Sequence, residues 1–354
     1  MDKDFIIENG VLFEYKGRGR DVTIPDDVTT IDLSAFRDCK SLKSVTIPDS
    51  VTIIDDYAFE NCTSLTSIAI PDSVTAIGVN AFSNCTKLAK VSLGNNVTTI
   101  GDYAFEKCTS LISIVISDSV TTIGEGAFHD CKSLKSVTIP DSVTTIGNFA
   151  FSYCDSLINV TIPDSVTTIG NYAFCDCTSL TSVTIPDSVT SIGNSAFISC
   201  KSLKSITIPN SVVTMGDWVF YNCVSLISVV ISNRVNIIAD HTFEDCTSLT
   251  SIVIPDSVAY IGRYAFSDCT SLTSVTIGNG VTTIFEHAFD NCTALSSVVL
   301  GTNIAGIHRG AFCNCKSLSR LTGLSEGCMI AAEAFKNCPL TDAPATDEKT
   351  HVFG

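Results

Sequence analysis

Histidine has the widest range of possible chemistry among the side chains of this sequence, which contains five of them. Two, His241 and His287, occupy the same place in a repeating pattern, two repeats apart, with Tyr264 midway between them. If successive repeats form neighbouring parallel strands about 4.8 Å apart, these histidines are about 10 Å apart. That separation is too long for one metal ion or for an acid–base pair. We therefore expect no catalytic or metal-binding role for them.

Aspartates form a second regular set, one in the same turn position of many repeats. A shared position means a shared environment, whereas acid–base catalysis requires carboxyl groups whose pKa values differ. One carboxylate per repeat also supplies too few oxygen ligands for calcium, which takes about 6–8 oxygen atoms. We expect these residues to stabilise turns by bonding to their own backbone two residues on, with a weak cation site between adjacent repeats as the alternative. The set comprises Asp49, Asp72, Asp118, Asp141, Asp164, Asp187 and Asp256.

Seventeen cysteines would suggest disulfides or metal in a small secreted protein. Fourteen of them stand in one column, from Cys39 to Cys338, each three residues after a phenylalanine. We expect this column to be reduced and to point inward as small apolar side chains, because parallel Cβ vectors suit disulfides poorly. Cys175, Cys313 and Cys328 lie outside the column, and Cys175 and Cys313 are predicted to be the reactive thiols. No set of four convergent zinc ligands is apparent.

The elements that position these residues come from a repeat of 23 residues without insertions. Alternation at Val45-x-Ile47 predicts a strand, and Pro48-Asp49-Ser50 predicts a turn. Val51–Ile54 is a second extended segment, and the spacing of four between Ile54, Ala58 and Cys62 predicts a helical turn with one buried face. The repeat phenylalanines are Phe36, Phe59, Phe82, Phe105, Phe128, Phe151, Phe174, Phe197, Phe220, Phe243, Phe266, Phe289, Phe312 and Phe335.

One unit of this length cannot fold alone, because its roughly six large apolar side chains contribute about 1.5–3 kcal/mol each against an ordering cost of about 1.5 kcal/mol per residue. Stacked units share hydrogen bonds and cover each other's apolar edges. The exposed end of such a stack needs a cap. The sequence predicts an N-terminal hairpin cap at residues 1–21, with its turn at Asn9-Gly10. A solenoid follows over residues 22–338, and a polar C-terminal tail over residues 339–354.

The repeat resembles the BspA-type leucine-rich repeat, whose hallmark is "IPxxVxxIGxxAFxxCxxLxxVxI". The opening "NGVL…YKGRGRDVTIP" is also similar to the start of that family's repeat domain, so the resemblance covers residues 5 to about 338. It implies an α/β repeat solenoid: a right-handed leucine-rich-repeat superhelix of about fourteen 23-residue units. A parallel β-sheet would line its concave face, with short helical turns opposite. It also implies a microbial surface or secreted protein that binds host or neighbouring-cell macromolecules.

Composition narrows the class of partner. A formal net charge of −16 and a pI near 4.5 argue against nucleic acid and anionic membranes. The basic residues Lys16, Arg18 and Arg20 form one small cluster, which we interpret as a solvated loop. No apolar run approaches the roughly 20 residues of a membrane span, so membrane insertion is not expected. The N-terminus lacks a signal-peptide pattern, which leaves an intracellular chain, unconventional export or a removed signal as alternatives.

Two surfaces vary between repeats and are therefore candidates for binding. On the first strand, Val115, Val230, Val253 and Val299 replace threonine at outward positions, and Val230 and Val253 are in adjacent repeats. The other surface lies two residues before each phenylalanine and carries Tyr57, Tyr103, Phe149, Tyr172, Trp218 and Tyr264. The simpler interpretations are strand propensity for the valines and local packing for the aromatic residues. Residues 210–245 depart most from the repeat. The predicted partner-binding residues are Trp218, Tyr221, Val230, Val253, Arg234, Tyr264 and Tyr172.

These observations favour a non-enzymatic binding protein, because the sequence contains no GxSxG, HExxH, phosphate-loop or dinucleotide motif. We expect neither a cofactor nor a metal. The predicted function is a microbial surface adhesin for extracellular or host proteins, such as matrix or plasma proteins. The alternative is a structural or assembly scaffold without a specific ligand. A third possibility is ice or polysaccharide binding by a threonine row that includes Thr52, Thr75 and Thr98.

Overall fold

The chain divides into two compact units, Met1–Val183 and Thr184–Gly354. The computed structural model describes residues 4–341, so most of the predicted polar tail lies outside the described residues. Each unit is a parallel β-solenoid, in which short strands of successive turns pair to form several sheets.

The first unit begins with a hairpin and continues with alternating three-residue and two-residue strands. Its strands are β1 (Phe5–Glu8), β2 (Val11–Tyr15), β3 (Asp21–Thr23), β4 (Thr30–Ile31), β5 (Ser44–Thr46), β6 (Ile53–Ile54), β7 (Ser67–Ala69), β8 (Ala76–Ile77), β9 (Lys90–Ser92), β10 (Thr99–Ile100), β11 (Ser113–Val115), β12 (Thr122–Ile123), β13 (Ser136–Thr138), β14 (Thr145–Ile146), β15 (Asn159–Thr161), β16 (Thr168–Ile169) and β17 (Ser182–Thr184).

Pairing in the first unit follows the repeat period. Strand β11 pairs with β13 in parallel, so that Ser113 faces Ser136. At the N-terminus β1 pairs with β2 antiparallel, and β2 pairs with β4 in parallel. The turn between β1 and β2 contains Asn9 and Gly10, both with positive φ (51° and 79°), which is the backbone that a tight hairpin requires. The hairpin thus provides the pairing edge on which the first turn forms.

The second unit repeats the pattern of one longer and one shorter strand per turn. Its strands are β18 (Ser191–Ile192), β19 (Ser205–Thr207), β20 (Thr214–Met215), β21 (Ser228–Val230), β22 (Ile237–Ile238), β23 (Ser251–Ile254), β24 (Tyr260–Ile261), β25 (Ser274–Ile277), β26 (Thr283–Ile284), β27 (Ser297–Val299), β28 (Gly306–Ile307), β29 (Arg320–Thr322) and β30 (Met329–Ile330). Strands β23, β25, β27 and β29 form one sheet, and β22, β24, β26, β28 and β30 form another.

The predicted helical turns are wrong, since no helix occurs among residues 4–341. The segment around Phe59 is instead a chain of tight turns, with Tyr57 and Asn61 in the left-handed region (φ 56° and 61°). Its amides alternate: Ala58 N–H bonds back to Asp55 at 3.3 Å, whereas Phe59 N–H bonds to Ala81 of the next turn at 2.7 Å. A helix would keep these amides within its own segment. The apolar spacing of four therefore reflects consecutive tight turns rather than a helix. In this segment every second backbone N–H bonds to the next repeat.

The core consists of the phenylalanine and cysteine columns. Phe59 and Phe243 are fully buried, each in the centre of a stack; Phe59 lies 4.8 Å from Phe36, centroid to centroid, with a 10° angle between ring planes. The thiol of Cys62 donates to the backbone carbonyl of Phe36 at 3.1 Å, and Cys246 repeats this contact in the second unit. Twelve of the fourteen column cysteines are buried, as predicted, whereas Cys39 and Cys338 at the two ends are half-buried. All seventeen cysteines are free thiols.

Cys175 contradicts the prediction of a reactive thiol. Its side chain is buried, and its thiol donates to Asp176 Oδ2 at 3.2 Å. Burial and the neighbouring Asp176 carboxylate raise the pKa of Cys175 well above its ordinary value. Burial also raises the pKa of the half-buried Cys313, and Asp290 adds to that rise. Because the thiolate is the nucleophilic form, neither site favours reactivity at neutral pH.

Several carboxylate and hydroxyl side chains bond to the adjacent turn. The Asp72 carboxylate accepts a hydrogen bond from the Asn95 backbone N–H, one repeat further on, at 2.8 Å. This differs from the predicted bond to the backbone two residues on. In the threonine row, the Thr98 hydroxyl donates to the Thr75 carbonyl of the preceding turn at 3.1 Å. Since that hydroxyl hydrogen is already used, the row is less suited to an external lattice than its spacing suggested.

Candidate binding surfaces

A shallow groove lies on the first-strand face of the second unit. Val230 and Val253 line it, with 59% and 66% of their surfaces exposed. The groove has a volume of about 740 Å³, and its walls include Ser251, Asp256 and Thr276. Two exposed valines among hydroxyl groups form a small apolar area with polar edges, which is the usual composition of a protein-binding patch.

Four aromatic side chains form a continuous stack elsewhere in the same unit, and we call Trp218, His241, Tyr264 and His287 the outer ladder. Their ring centroids are separated by 4.6 Å, 5.0 Å and 5.0 Å in that order, with angles of 8°, 11° and 7° between ring planes. Trp218 is 39% exposed, and the other three are half-buried. The structure thus brings Trp218 and Tyr264 into one stack, joined by His241.

Each ring of the outer ladder stands on a backbone that bulky residues rarely adopt. Trp218, His241, Tyr264 and His287 have φ values of 54°, 58°, 54° and 57°. The left-handed region costs roughly 1–2 kcal/mol for such a residue and favours Gly or Asn. Asn80 and Gly126 stand at the corresponding position of other turns. An aromatic side chain here accepts local strain, and the observed ring stacking offsets part of it.

Acidic neighbours fix the two ladder histidines. His241 Nδ1 pairs with the Glu244 carboxylate, and His287 Nδ1 lies 2.9 Å from Asp290 Oδ2. Burial raises the pKa of Glu244, and the hydrogen bond with His241 opposes that rise. Each pair spans three residues within one turn, so the imidazole plane is held parallel to its aromatic neighbours.

The other predicted site residues belong neither to the outer ladder nor to the lining of the groove. Tyr172 belongs to the first unit, where its ring stacks on Phe149 at 4.8 Å and 2°. Tyr221 is half-buried, and its pKa is raised by burial and by Asp245. Arg234 is exposed in the turn after β21, and its backbone N–H donates to Ser232 Oγ at 3.0 Å.

His241 and His287 were not predicted to belong to the binding surface. They were considered as metal ligands, although their position two residues before a repeat phenylalanine is shared with Trp218 and Tyr264. That shared register was the available signal. Within residues 4–341, no group of three or more His, Cys, Asp or Glu side chains could hold a metal ion. The same part of the chain contains no helix that is long and apolar enough to cross a membrane.

The repeat pattern and the stacked turns together match one family. The family described as "BspA type Leucine rich repeat region (6 copies)" matches residues 7–135, 121–250 and 236–352. The chain belongs to the BspA-type leucine-rich-repeat family. This is a repeat family, and the match indicates no catalytic class. Leucine-rich-repeat domains generally bind proteins.

Solved structures of other proteins, two of them described as leucine-rich, share the fold. A leucine-rich repeat protein from Bacteroides ovatus is 32% identical, with a TM-score of 0.73, and the match covers 90% of this chain and 94% of that one. A leucine rich cell surface protein from Faecalibacterium prausnitzii is 28% identical over 98% of both chains, with a TM-score of 0.57. The pneumococcal vaccine antigen PcpA, at 18% identity, shares the fold alone. No curated protein matches the sequence at a significant level.

Proposed function

We propose that this BspA-type protein is a non-enzymatic adhesin of a microbial cell surface, which binds an extracellular protein through the groove around Val230 and Val253. The observation that carries the proposal is the exposure of these two valines on neighbouring turns. Most other turns place threonine, serine or alanine at this outward strand position, as at Thr138 and Thr161.

The location is supported by family membership and by one relative. The Faecalibacterium prausnitzii protein, 28% identical over 98% of both chains, is described as a cell surface protein. Adhesion is supported by the composition of the groove. Interfaces place apolar anchors at the centre and polar groups at the rim, and Ser251 and Asp256 flank the valines here.

Charge favours a basic partner surface. The chain has a formal net charge of −16, and opposite potentials accelerate encounter and suppress wrong partners. The outer ladder adds a second candidate contact in the same unit. Stacked rings lose little side-chain entropy on binding, because each ring is already held by its neighbours, and Trp and Tyr are frequent interface anchors.

The test is binding of the purified chain, under reducing conditions, to immobilised extracellular-matrix and plasma proteins. The wild type is expected to bind one of them saturably. The double variant Val230→Thr/Val253→Thr, which restores the common strand residue, is expected to weaken that binding about tenfold or more. Val115→Thr is the matched control, because it makes the same exchange at an exposed position of the first unit.

Replacing residues 210–245 with consensus repeats tests whether recognition is local to the divergent turns. This exchange also removes Trp218, the single tryptophan, whose fluorescence reports binding near the outer ladder in the wild type. Equal binding by wild type and the valine variant would refute the groove as the site. No saturable binding to any protein would favour the alternative, a structural or assembly scaffold without a specific ligand.

A further inference from the structure

A second cavity, of about 470 Å³, lies near the C-terminal end of the outer ladder. Its lining includes Arg263, Tyr264, Glu286, His308, Arg309 and Met329. The volume lies within the range of about 300–1,000 Å³ that small-molecule sites occupy. Neither the family match nor the proposed protein-binding groove accounts for this cavity, and it shares no lining residue with that groove.

The cavity opens where the repeat loses a glycine. In most turns the residue four before the phenylalanine is glycine, and a Cβ added to Gly262 would stand 2.7 Å from the Ala239 carbonyl carbon. The next two turns place Phe285 and His308 in this position, with ring centroids 4.9 Å apart. The backbone spacing is kept, because the N–H groups of Phe285 and His308 bond to the preceding turn at 2.9 Å, as that of Gly262 does at 2.8 Å. The His308 side chain lines the cavity.

Basic groups dominate the charged part of the lining. The lining contains two arginines, Arg263 and Arg309, and one carboxylate, Glu286. Arg263 Nε lies 3.1 Å from Glu286 Oε2, and His308 Nδ1 lies 3.2 Å from Glu286 Oε1. Arg309 pairs with Glu333, which is outside the lining. Both arginine side chains are more than half exposed.

The hydrogen-bond donors of the arginines are only partly used. Arg309 donates Nε and one terminal nitrogen to Glu333 Oε2, at 3.1 Å and 3.0 Å. Arg263 is engaged through Nε, and among the described residues its two terminal nitrogens have no hydrogen-bond partner. Guanidinium groups bind carboxylate, sulfate or phosphate with paired donors. The unused donors are therefore suited to an oxyanion.

Glu286 is held as an anion by its own surroundings. Burial raises its pKa, but hydrogen bonds from its own backbone N–H and from His308, with Arg263 nearby, lower the pKa below the ordinary value. The Glu286 carboxylate thus pairs with Arg263 in the preceding turn and with His308 in the following turn. An incoming oxyanion would compete with Glu286 for Arg263.

We infer that this cavity binds a small ligand bearing a carboxylate or sulfate group, held by Arg263 and Arg309. The ligand is either a free small acid or one residue of an anionic polysaccharide, since both present the same oxyanion. This site is independent of the proposed protein-binding groove, and the failure of either would leave the other unaffected.

The test is calorimetric titration of the full chain with glucuronate, sulfate and glucose. Glucuronate and sulfate are expected to bind saturably, and glucose is not. Arg263→Gln and Arg309→Gln should each weaken glucuronate binding about tenfold or more, because each removes a charged hydrogen bond. Arg37→Gln is the matched control: Arg37 pairs with Glu60 at 2.7 Å and lies over the Tyr57 ring, but in the first unit.

The direction in which Glu286→Gln changes the affinity for glucuronate separates a binding site from a structural cluster. If the site binds an oxyanion, removing the competing carboxylate should strengthen glucuronate binding, whereas a merely structural cluster would weaken or ignore it. Tighter binding of a glucuronate-containing oligosaccharide than of glucuronate would identify a polysaccharide residue as the source, and equal binding would identify a free acid. No saturable binding of either anion, equal binding of glucose, or no effect of the arginine variants would overturn the inference.

Discussion

Two columns of side chains run along the second unit at positions two residues apart, and both contain stacked aromatic rings. In the inner column, Phe243 stacks on Phe220 at 5.4 Å and 8°, and both rings are fully buried. In the outer ladder, Trp218 stacks on His241 at 4.6 Å and 8°, with the tryptophan partly exposed. The geometry is nearly the same, but the inner column has one residue type and the outer has several.

The difference follows from what each column contacts. An inner ring touches only protein, so the repeat spacing and the close-packed interior leave one suitable side chain. An outer ring stands on a left-handed backbone at the surface, where Asn, Gly, Ser and aromatic residues all occur. Changes in the inner column should therefore cost stability, and changes in the outer ladder should change recognition.

The largest expected effect is at the inner column. Phe243→Ala removes a fully buried ring with stacked neighbours on both sides and should lower the free energy of unfolding by about 3–5 kcal/mol. Urea denaturation followed by circular dichroism measures this loss. A loss no larger than that of an outer-ladder variant would break the comparison.

Both columns depend on a fixed spacing between turns, and most turns have a glycine where neighbouring backbones pass close together. Gly262→Ala would bring a Cβ to 2.7 Å from backbone atoms of the preceding turn, so we expect about 1–3 kcal/mol of destabilisation from overpacking. Gly306→Ala is the control, because its Cβ would meet only His308, at 3.9 Å. Comparable urea midpoints for the two variants would contradict the steric account.

A smaller effect on stability is expected in the outer ladder. His241→Asn removes two stacking contacts but supplies a residue that tolerates the left-handed backbone, so the free energy of unfolding should change by less than about 1 kcal/mol. The fluorescence of Trp218 should change, because its stacked neighbour is lost. A collapse in stability would show that the outer ladder is part of the scaffold.

The smallest expected effect on stability concerns Tyr103, which occupies the repeat position of the outer ladder but has no stacked neighbour among the described residues. In the first unit the Tyr103 hydroxyl donates to Glu125 at 2.6 Å, and this hydrogen bond, with burial, raises the pKa of Tyr103 to about 12. The unfolded value is about 10, so the bond's contribution to stability is present below pH 10 and is lost as the pH rises through 12. Ultraviolet titration against Tyr103→Phe should detect this group, and Glu125→Gln should lower its pKa. A pKa of about 10 for Tyr103 in the wild type would contradict this hydrogen bond.

Much of the fold was predictable because its determinants are local and repeated. The strands, the inward cysteines and the phenylalanine column follow from alternation and from one fixed period. The helical turn was wrong because a spacing of four is typical both of a helix and of consecutive tight turns. The positive φ of Tyr57 and Asn61, which distinguishes the two, is set by bonds to the next turn rather than by residue type.

The binding surfaces were less predictable for the same reason. Val230 and Val253 were identified because they interrupt a uniform column. The role of His241 as the link between Trp218 and Tyr264 required the observed ring planes. His308, which lines the cavity, stands where most turns have a glycine, and the repeat consensus alone does not show that a cavity lies beside it.

The side-chain bonds between turns have one further consequence, for how such a protein evolves. Asp56 bonds to Val79 N–H and Asp240 bonds to Arg263 N–H, each one whole repeat further along the chain. Duplicating or deleting 23 residues by unequal recombination within one unit would keep the positions that these bonds join in register. A lineage can therefore lengthen or shorten an aromatic stack by copying a single turn, and alter what the surface binds in one genetic event.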